Sequence, residues 1–107
     1  MLASALFIAD YANAGHSKHL PPGTIEQGSL ANHQLTQDTL SAVVNKAATL
    51  GCQQFEFYTP YMVAMPKGQK GSRVWRERWI FTCHGTDYPI DIRFNEVGAS
   101  AAAFQIL

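Results

Sequence analysis

The segment from Trp75 to Cys83 constrains the fold of this chain more than any other stretch of its sequence. Its residues alternate between two series, of which one is Trp75, Glu77, Trp79, Phe81 and Cys83 and the other is Arg76, Arg78, Ile80 and Thr82. Successive side chains of a β-strand point to opposite faces of a sheet. The pattern therefore predicts a strand with one apolar face and one wet, mostly basic face. It also places a single charge, Glu77, on the apolar face.

A single amphipathic helix is predicted upstream of this strand. Thr36 is suited to cap the helix N-terminus, and Gly51 is placed to end it. Between them, apolar residues recur at helical spacing. These residues are Leu40, Val43, Val44, Ala47 and Leu50.

The chain after Gly51 has the pattern of strands separated by turns. In residues 55–65 the apolar side chains fall on odd positions, and Pro60 indicates an edge strand or a bulge because proline cannot donate to a ladder. Turns are predicted at 66–72, at Gly85-Thr86 and around Gly98.

One set of hairpin registers places the apolar series of every strand on the same face of the sheet. The pairs it predicts are Phe57 with Phe81, Tyr61 with Glu77, Cys83 with Tyr88, Phe81 with Ile90, Glu77 with Phe94, and Ile90 with Phe104. The sequence thus predicts an α+β fold with one main amphipathic helix packed on a four-stranded antiparallel meander.

The N-terminal region has two interpretations. Residues 1–14 are an apolar segment ahead of a single α+β domain over 15–107, and the segment ends in Ala12-Asn13-Ala14 like an export-signal cleavage site. Asp10 interrupts the apolar run, and no Lys or Arg precedes it. The segment is either the remnant of an export signal or an additional N-terminal helix. It is shorter than the ~18 apolar residues of a membrane span.

The two cysteines, Cys52 and Cys83, bear on the compartment. Their spacing fits no zinc or redox pattern. In the predicted fold a disulfide would join the helix exit to the sheet and close a loop of about 30 residues, which contributes about 3 kcal/mol. A disulfide and an export signal together indicate a periplasmic or secreted protein. Two free cysteines would instead fit a cytoplasmic one.

Glu77 is the first candidate for chemistry. A carboxylate on an apolar face between Trp75 and Trp79 is a candidate general acid or base. The predicted register also places Tyr61 opposite Glu77, where its hydroxyl could donate a hydrogen bond. Since no second acid shares this face, a structural role for the pair is the simpler interpretation.

Basic residues are concentrated in the hairpin 67–78. Five of the eight in the chain lie there, and they are Lys67, Lys70, Arg73, Arg76 and Arg78. This cluster is a candidate site for an anion or a nucleic acid, or it keeps the sheet from edge pairing. Zero net charge, and Tyr58 as the only aromatic residue predicted on that side, count against nucleic acid.

Other kinds of site lack support in the sequence. His16 and His19 are not joined by a cysteine or an acid at ligand spacing, so we predict neither a metal site nor a cofactor. No serine or cysteine has the frame of a catalytic nucleophile, and no glycine-rich loop opens a helix.

The leading functional interpretation is a small, non-enzymatic binding or interaction domain whose ligand the sequence does not name. An anion- or nucleic-acid-binding module using the basic hairpin is one alternative, and an enzyme using Glu77 is the other. Homodimer formation is a further hypothesis. It would use the N-terminal segment or an outer strand edge carrying Met62 and Ala64.

Overall fold

The computed structural model describes residues 19–107 as one helix and five strands. The elements are β1 (Glu26–Gln27), α1 (His33–Leu50), β2 (Phe57–Lys67), β3 (Val74–Cys83), β4 (Thr86–Glu96) and β5 (Ala102–Ile106). The strands form one antiparallel sheet in the order β1-β2-β3-β4-β5. The predicted α+β class is confirmed. The strand count of four was wrong because β1 is only two residues long and shows no alternation.

The N-terminal helix that we considered for residues 1–14 lies outside the described residues. Within them, α1 begins earlier than predicted, because Asn32 rather than Thr36 caps it. The Asn32 side chain accepts a hydrogen bond from the Leu35 backbone N–H at 2.8 Å. Gly51 ends the helix as predicted, with a φ of 115° that favours glycine.

The helix packs on one face of the sheet, which we call the covered face; the other is the open face. Val43 and Ala47 on α1 are buried against the same core as Trp79 and Phe94. The helix lies mainly over β4 and β5. Over β3, Tyr58 stacks on Trp79 and on Phe81 with ring centroids 5.3 Å apart in both pairs.

The β3–β4 hairpin turns one residue earlier than predicted. Its two central residues are His84 and Gly85, with φ of 49° and 80°, the signs of a type I′ turn. Cys83 therefore lies opposite Thr86 rather than Tyr88. The shift in pairing is two residues, so every side chain keeps its predicted face.

The predicted register of strand β2 was wrong by one residue, and this error exchanges the two faces of the strand. Tyr58 lies opposite Phe81 and Met62 lies opposite Glu77, so the even positions face the core as far as Met62. Beyond it, Ala64 lies opposite Arg76 on the open face. Met62 is buried, whereas Phe57 is 56% exposed. The prediction failed because β2 carries apolar side chains at both even and odd positions. The bulge suggested by Pro60 is present, between Met62 and Ala64.

Strand β5 pairs with β4 four residues away from the predicted register. Phe104 lies opposite Phe94, and Ile106 lies opposite Ile92. Because four is an even number, the predicted faces are again retained.

Cys52 and Cys83 lie at disulfide distance, with their Cα atoms 5.8 Å apart. The structure joins them, so the end of α1 is tied to the end of β3. The helix that the structure describes is not apolar enough along its length to cross a membrane.

Candidate interaction surface

Glu77 is fully buried on the covered face and receives three hydrogen bonds from N–H donors. The indole N–H of Trp79 donates to Oε1 at 2.8 Å, and the indole N–H of Trp75 donates to Oε2 at 2.9 Å. The backbone N–H of Leu30 also donates to Oε2 at 2.9 Å. Both carboxylate oxygens are thus satisfied by neutral donors.

The predicted partnership of Glu77 with Tyr61 was wrong. Tyr61 lies opposite Arg78 on the open face, because β2 is slipped by one residue. The donors that replace the tyrosine were partly visible in the sequence, since Trp75 and Trp79 are two residues from Glu77 on the same face. The Leu30 donor is 47 residues away in the chain and had no sequence signal.

Arg73 from the basic hairpin is engaged with Glu96 at the end of β4. Its Nε and guanidinium NH2 donate to the two carboxylate oxygens at 2.8 and 2.7 Å. The backbone N–H groups of Arg73 and Gly71 donate to the same carboxylate. The hydrogen bonds from Arg73, chiefly from its side chain, lower the pKa of Glu96 from 4.5 to about 2. The side-chain hydrogen bond to Glu96 in turn raises the pKa of Arg73.

Arg78 is engaged in a similar way on the open face. It forms a bidentate pair with Asp91, with N···O distances of 2.6 and 3.0 Å, and it also donates to the Pro22 carbonyl at 2.8 Å. The hydrogen bond to Asp91 raises the pKa of Arg78. This arginine therefore connects the Pro22 backbone to the open face of the sheet.

The other basic residues of the hairpin are exposed. Arg76 lies on the open face opposite Arg93 of β4, and Lys67 and Lys70 lie at and beyond the end of β2. Within residues 19–107 neither Arg76 nor Arg93 forms an ion pair. The candidate anion site is thus reduced to these residues, because Arg73 and Arg78 already have acidic partners.

Tyr58 does not accompany the basic residues, contrary to prediction. It faces the core and stacks on Trp79, whereas Phe57 and Tyr61 point to the open face. The one-residue slip of β2 accounts for this exchange.

The outer edge of β5 pairs with no strand among the described residues. The Leu107 N–H donates to the Asp91 carbonyl at 2.9 Å, which fixes the direction of the neighbouring peptide groups. Alternation then directs the N–H and C=O groups of Ala102, Phe104 and Ile106 away from β4. Those groups form a row of backbone donors and acceptors with no partner in residues 19–107.

Within residues 19–107, this edge has none of the features that commonly prevent strand pairing. Strand edges are commonly protected by lysine, proline, bulges or an inward-pointing charge. The eleven residues from Val97 to Leu107 contain neither a charged residue nor a proline. The opposite edge differs, since β1 is two residues long, includes Glu26 and is preceded by Pro21-Pro22-Gly23.

A cleft of about 370 Å³ adjoins the start of β5. It lies between the first turns of α1 and the β4–β5 turn, and its lining includes Asn32, Asp38, Trp75 and Ala102. A second groove, of about 310 Å³, adjoins the end of β5 and is lined by Lys46 and Leu107 among others. Glu77 lines neither of them.

The sequence predicted the strand β5 but not its exposed edge. The one feature of the sequence that relates to this edge is the long stretch without a charged residue or a proline after Glu96. Charge-free stretches also occur in buried strands, so the composition alone could not show that one edge lacks a neighbour.

Comparison of the chain with family models, with curated proteins and with solved structures finds no match.

Proposed function

We propose that this protein is a non-enzymatic interaction domain that binds an extended polypeptide segment along the outer edge of β5. The main support is the row of outward N–H and C=O groups on Ala102, Phe104 and Ile106 of this uncharged strand. Extended peptides bind such edges by adding a strand, where main-chain hydrogen bonds give affinity and neighbouring pockets give specificity.

The cleft beside Ala102 supports this mode of binding. At about 370 Å³ it is large enough for a side chain of an added strand. Ligand pockets for whole small molecules span about 300–1,000 Å³, so the cleft is at the small end of that range. Its walls combine the apolar Leu35 and Trp75 with the polar Asn32 and Asp38, which gives an added side chain both kinds of contact.

The state of Glu77 favours binding over catalysis. A general acid or base must exchange a proton with a substrate within hydrogen-bond reach. Glu77 is fully buried, and both of its oxygens are already occupied by donors from the protein. We therefore interpret it as an acid that holds Trp75, Trp79 and the Leu30 backbone together.

Peptide selection tests the proposal directly. Linear peptides displayed on phage are selected on the full chain and counter-selected on an Ala102→Pro variant. That variant removes one outward N–H and leaves the bonds to β4 in place. An enriched peptide, synthesised and titrated into ¹⁵N-labelled protein, is expected to slow hydrogen exchange at Ala102, Phe104 and Ile106.

The matched control is Ala103→Ser, a substitution on the open face of the same strand that removes no outward donor. Its affinity for the peptide should stay near that of the original chain, whereas Ala102→Pro should weaken binding by about tenfold or more. Failure to enrich any peptide on a chain that is monomeric at the selection concentration overturns the proposal. So does a peptide whose exchange footprint lies away from β5, and this readout does not depend on the folding of a variant.

The exposed pair Arg76 and Arg93 favours anion binding as a second candidate function. Like charges directly opposite each other on a sheet repel, and a bound anion would relieve that repulsion. Heparin binding measured across a salt series tests this candidate. Arg76→Ala with Arg93→Ala should flatten the salt dependence, whereas the distant Lys46→Ala should have a much smaller effect.

We also propose that the protein functions in an oxidising compartment, periplasmic or extracellular. The disulfide distance between Cys52 and Cys83 supports this location. The intact mass of the protein from its native host, under non-reducing conditions, should lack the two thiol hydrogens. A mass that retains both would favour the cytoplasm, and the same measurement shows whether residues 1–14 are removed.

A further inference from the structure

We propose that the polypeptide bound at β5 is a second copy of this chain, paired antiparallel about a two-fold axis at Phe104. The sheets of the two copies would then form one continuous sheet. This inference rests on the proposed function, because it names the partner of the same edge.

The backbone of β5 is complementary to itself in this register. Phe104 lies opposite Phe104 of the second copy, and Ala102 lies opposite its Ile106. All three residues carry outward N–H and C=O groups, so each pair exchanges two hydrogen bonds. Ala103 then lies opposite Gln105 of the second copy, and no like charges face each other.

Charges on α1 complement each other about the same axis. Asp38 adjoins the start of β5, where it shares a cleft with Ala102, and Lys46 adjoins the end of β5, where it shares a groove with Leu107. A two-fold axis reverses β5, so the Asp38 end of one copy meets the Lys46 end of the second. Two symmetric acid–base pairs would then lie across the interface. An isolated extended peptide has no helix to supply them.

The opposite edge of the sheet favours closure as a dimer over growth of a fibre. Continued growth needs a second long edge that can receive another copy. The β1 edge is two residues long and includes Glu26. The rest of the outer edge of β2 is interrupted by two register shifts and carries Pro66 and Lys67, which are features that oppose strand pairing. Among the described residues, β5 is therefore the extended edge without such protection.

Sedimentation velocity on the full chain tests the inference. The original chain should sediment as a species of twice 11.8 kDa. Ala103→Lys with Gln105→Lys places like charges opposite each other twice and should raise the dissociation constant about tenfold or more. Both side chains lie exposed on the open face, so the change spares the core.

The matched control reverses one of these charges. Ala103→Lys with Gln105→Glu puts opposite charges together in the same register and should restore the dimer. On the helix, Asp38→Lys and Lys46→Asp should each weaken the dimer, and the two combined in one chain should recover it. Position 105 lies opposite Arg93 of its own chain, so the free energy of unfolding of each β5 variant is measured as well. Recovery of the dimer by the helix charge exchange, where no such intrachain partner is changed, is not expected from a loss of folding.

The outcomes separate this inference from the proposed function. A monomer whose β5 edge still binds a selected peptide overturns the second copy as partner and leaves strand addition intact. A dimer unaffected by charges at positions 103 and 105 uses another surface, which also overturns the inference. A monomer that binds no peptide at β5 overturns both.

Discussion

Glu77 and Asp91 are carboxylates on neighbouring strands of the same sheet, but they face opposite sides and are stabilised differently. Glu77, on the covered face, accepts hydrogen bonds from three neutral N–H groups. Asp91, on the open face, is paired with the Arg78 guanidinium and remains partly exposed. Fixed neutral donors can satisfy an acid where water is excluded, whereas a counter-ion is readily accommodated where water is present.

The largest effect is expected at Glu77. Replacing it in Glu77→Ala leaves two indole N–H groups and one backbone N–H without an acceptor in a buried site. We expect the free energy of unfolding to fall by about 3–5 kcal/mol, measured by chemical denaturation. Glu77→Gln retains one acceptor oxygen and should lose less. A loss below about 1 kcal/mol for Glu77→Ala would contradict a site from which water is excluded and in which all three donors depend on Glu77.

A smaller effect is expected at Asp91. Exposed ion pairs contribute about 0.2–1 kcal/mol, so Asp91→Asn should lower the free energy of unfolding by no more than that. Because salt screens exposed charges, the difference between the variant and the original chain should shrink as ionic strength rises. Denaturation at low and high salt measures both quantities. A loss as large as that of Glu77→Ala, or one insensitive to salt, would remove the contrast between the two faces.

The last effect is expected at Glu96 and is confined to acid pH, because Glu96 stabilises the fold only while its carboxylate is ionised and paired with Arg73. Arg73 lowers the pKa of Glu96 from 4.5 to about 2, so the unfolded chain binds more protons than the native one in this window. The stabilisation is complete above about pH 4.5 and disappears as the pH falls towards about 2.

Glu96→Gln should therefore remove this part of the acid dependence of stability, measured by denaturation across the same pH window. Arg73→Gln provides the control, since the Glu96 carboxyl should then titrate nearer its ordinary pKa in an NMR titration. An unchanged Glu96 titration in that variant would show that Arg73 is not the cause.

Much of the architecture was predictable because it depends on local periodicity. The alternation from Trp75 to Cys83 predicted β3 and its buried face, and Gly51 predicted the helix end. Strand β2 was misplaced because Phe57, Tyr58 and Met62 put apolar side chains on both of its faces. Nothing local distinguishes the two registers in such a strand.

The candidate site was less predictable than the fold. The sequence showed the five basic residues as a cluster, but it did not show which of them are available to a ligand. That depends on acids elsewhere in the chain, since Arg73 forms an ion pair with Glu96 and Arg78 forms one with Asp91. The β5 edge was visible only as an uncharged stretch. Its availability depends on which strand ends the sheet, and that is a property of the whole topology.

The sequence by itself determined that β3 has one apolar and one basic face, that a carboxylate lies on the apolar one, and that a helix ends at Gly51. These features follow from repeats of 2 and 3.6 residues within short segments. Only the tertiary structure decided the face of β2, the three donors to Glu77 and, in the part of the chain that it describes, the unpaired edge of β5. Those features join groups far apart in the chain, and a strand such as β2 with apolar side chains on both faces fits two registers that differ by one residue.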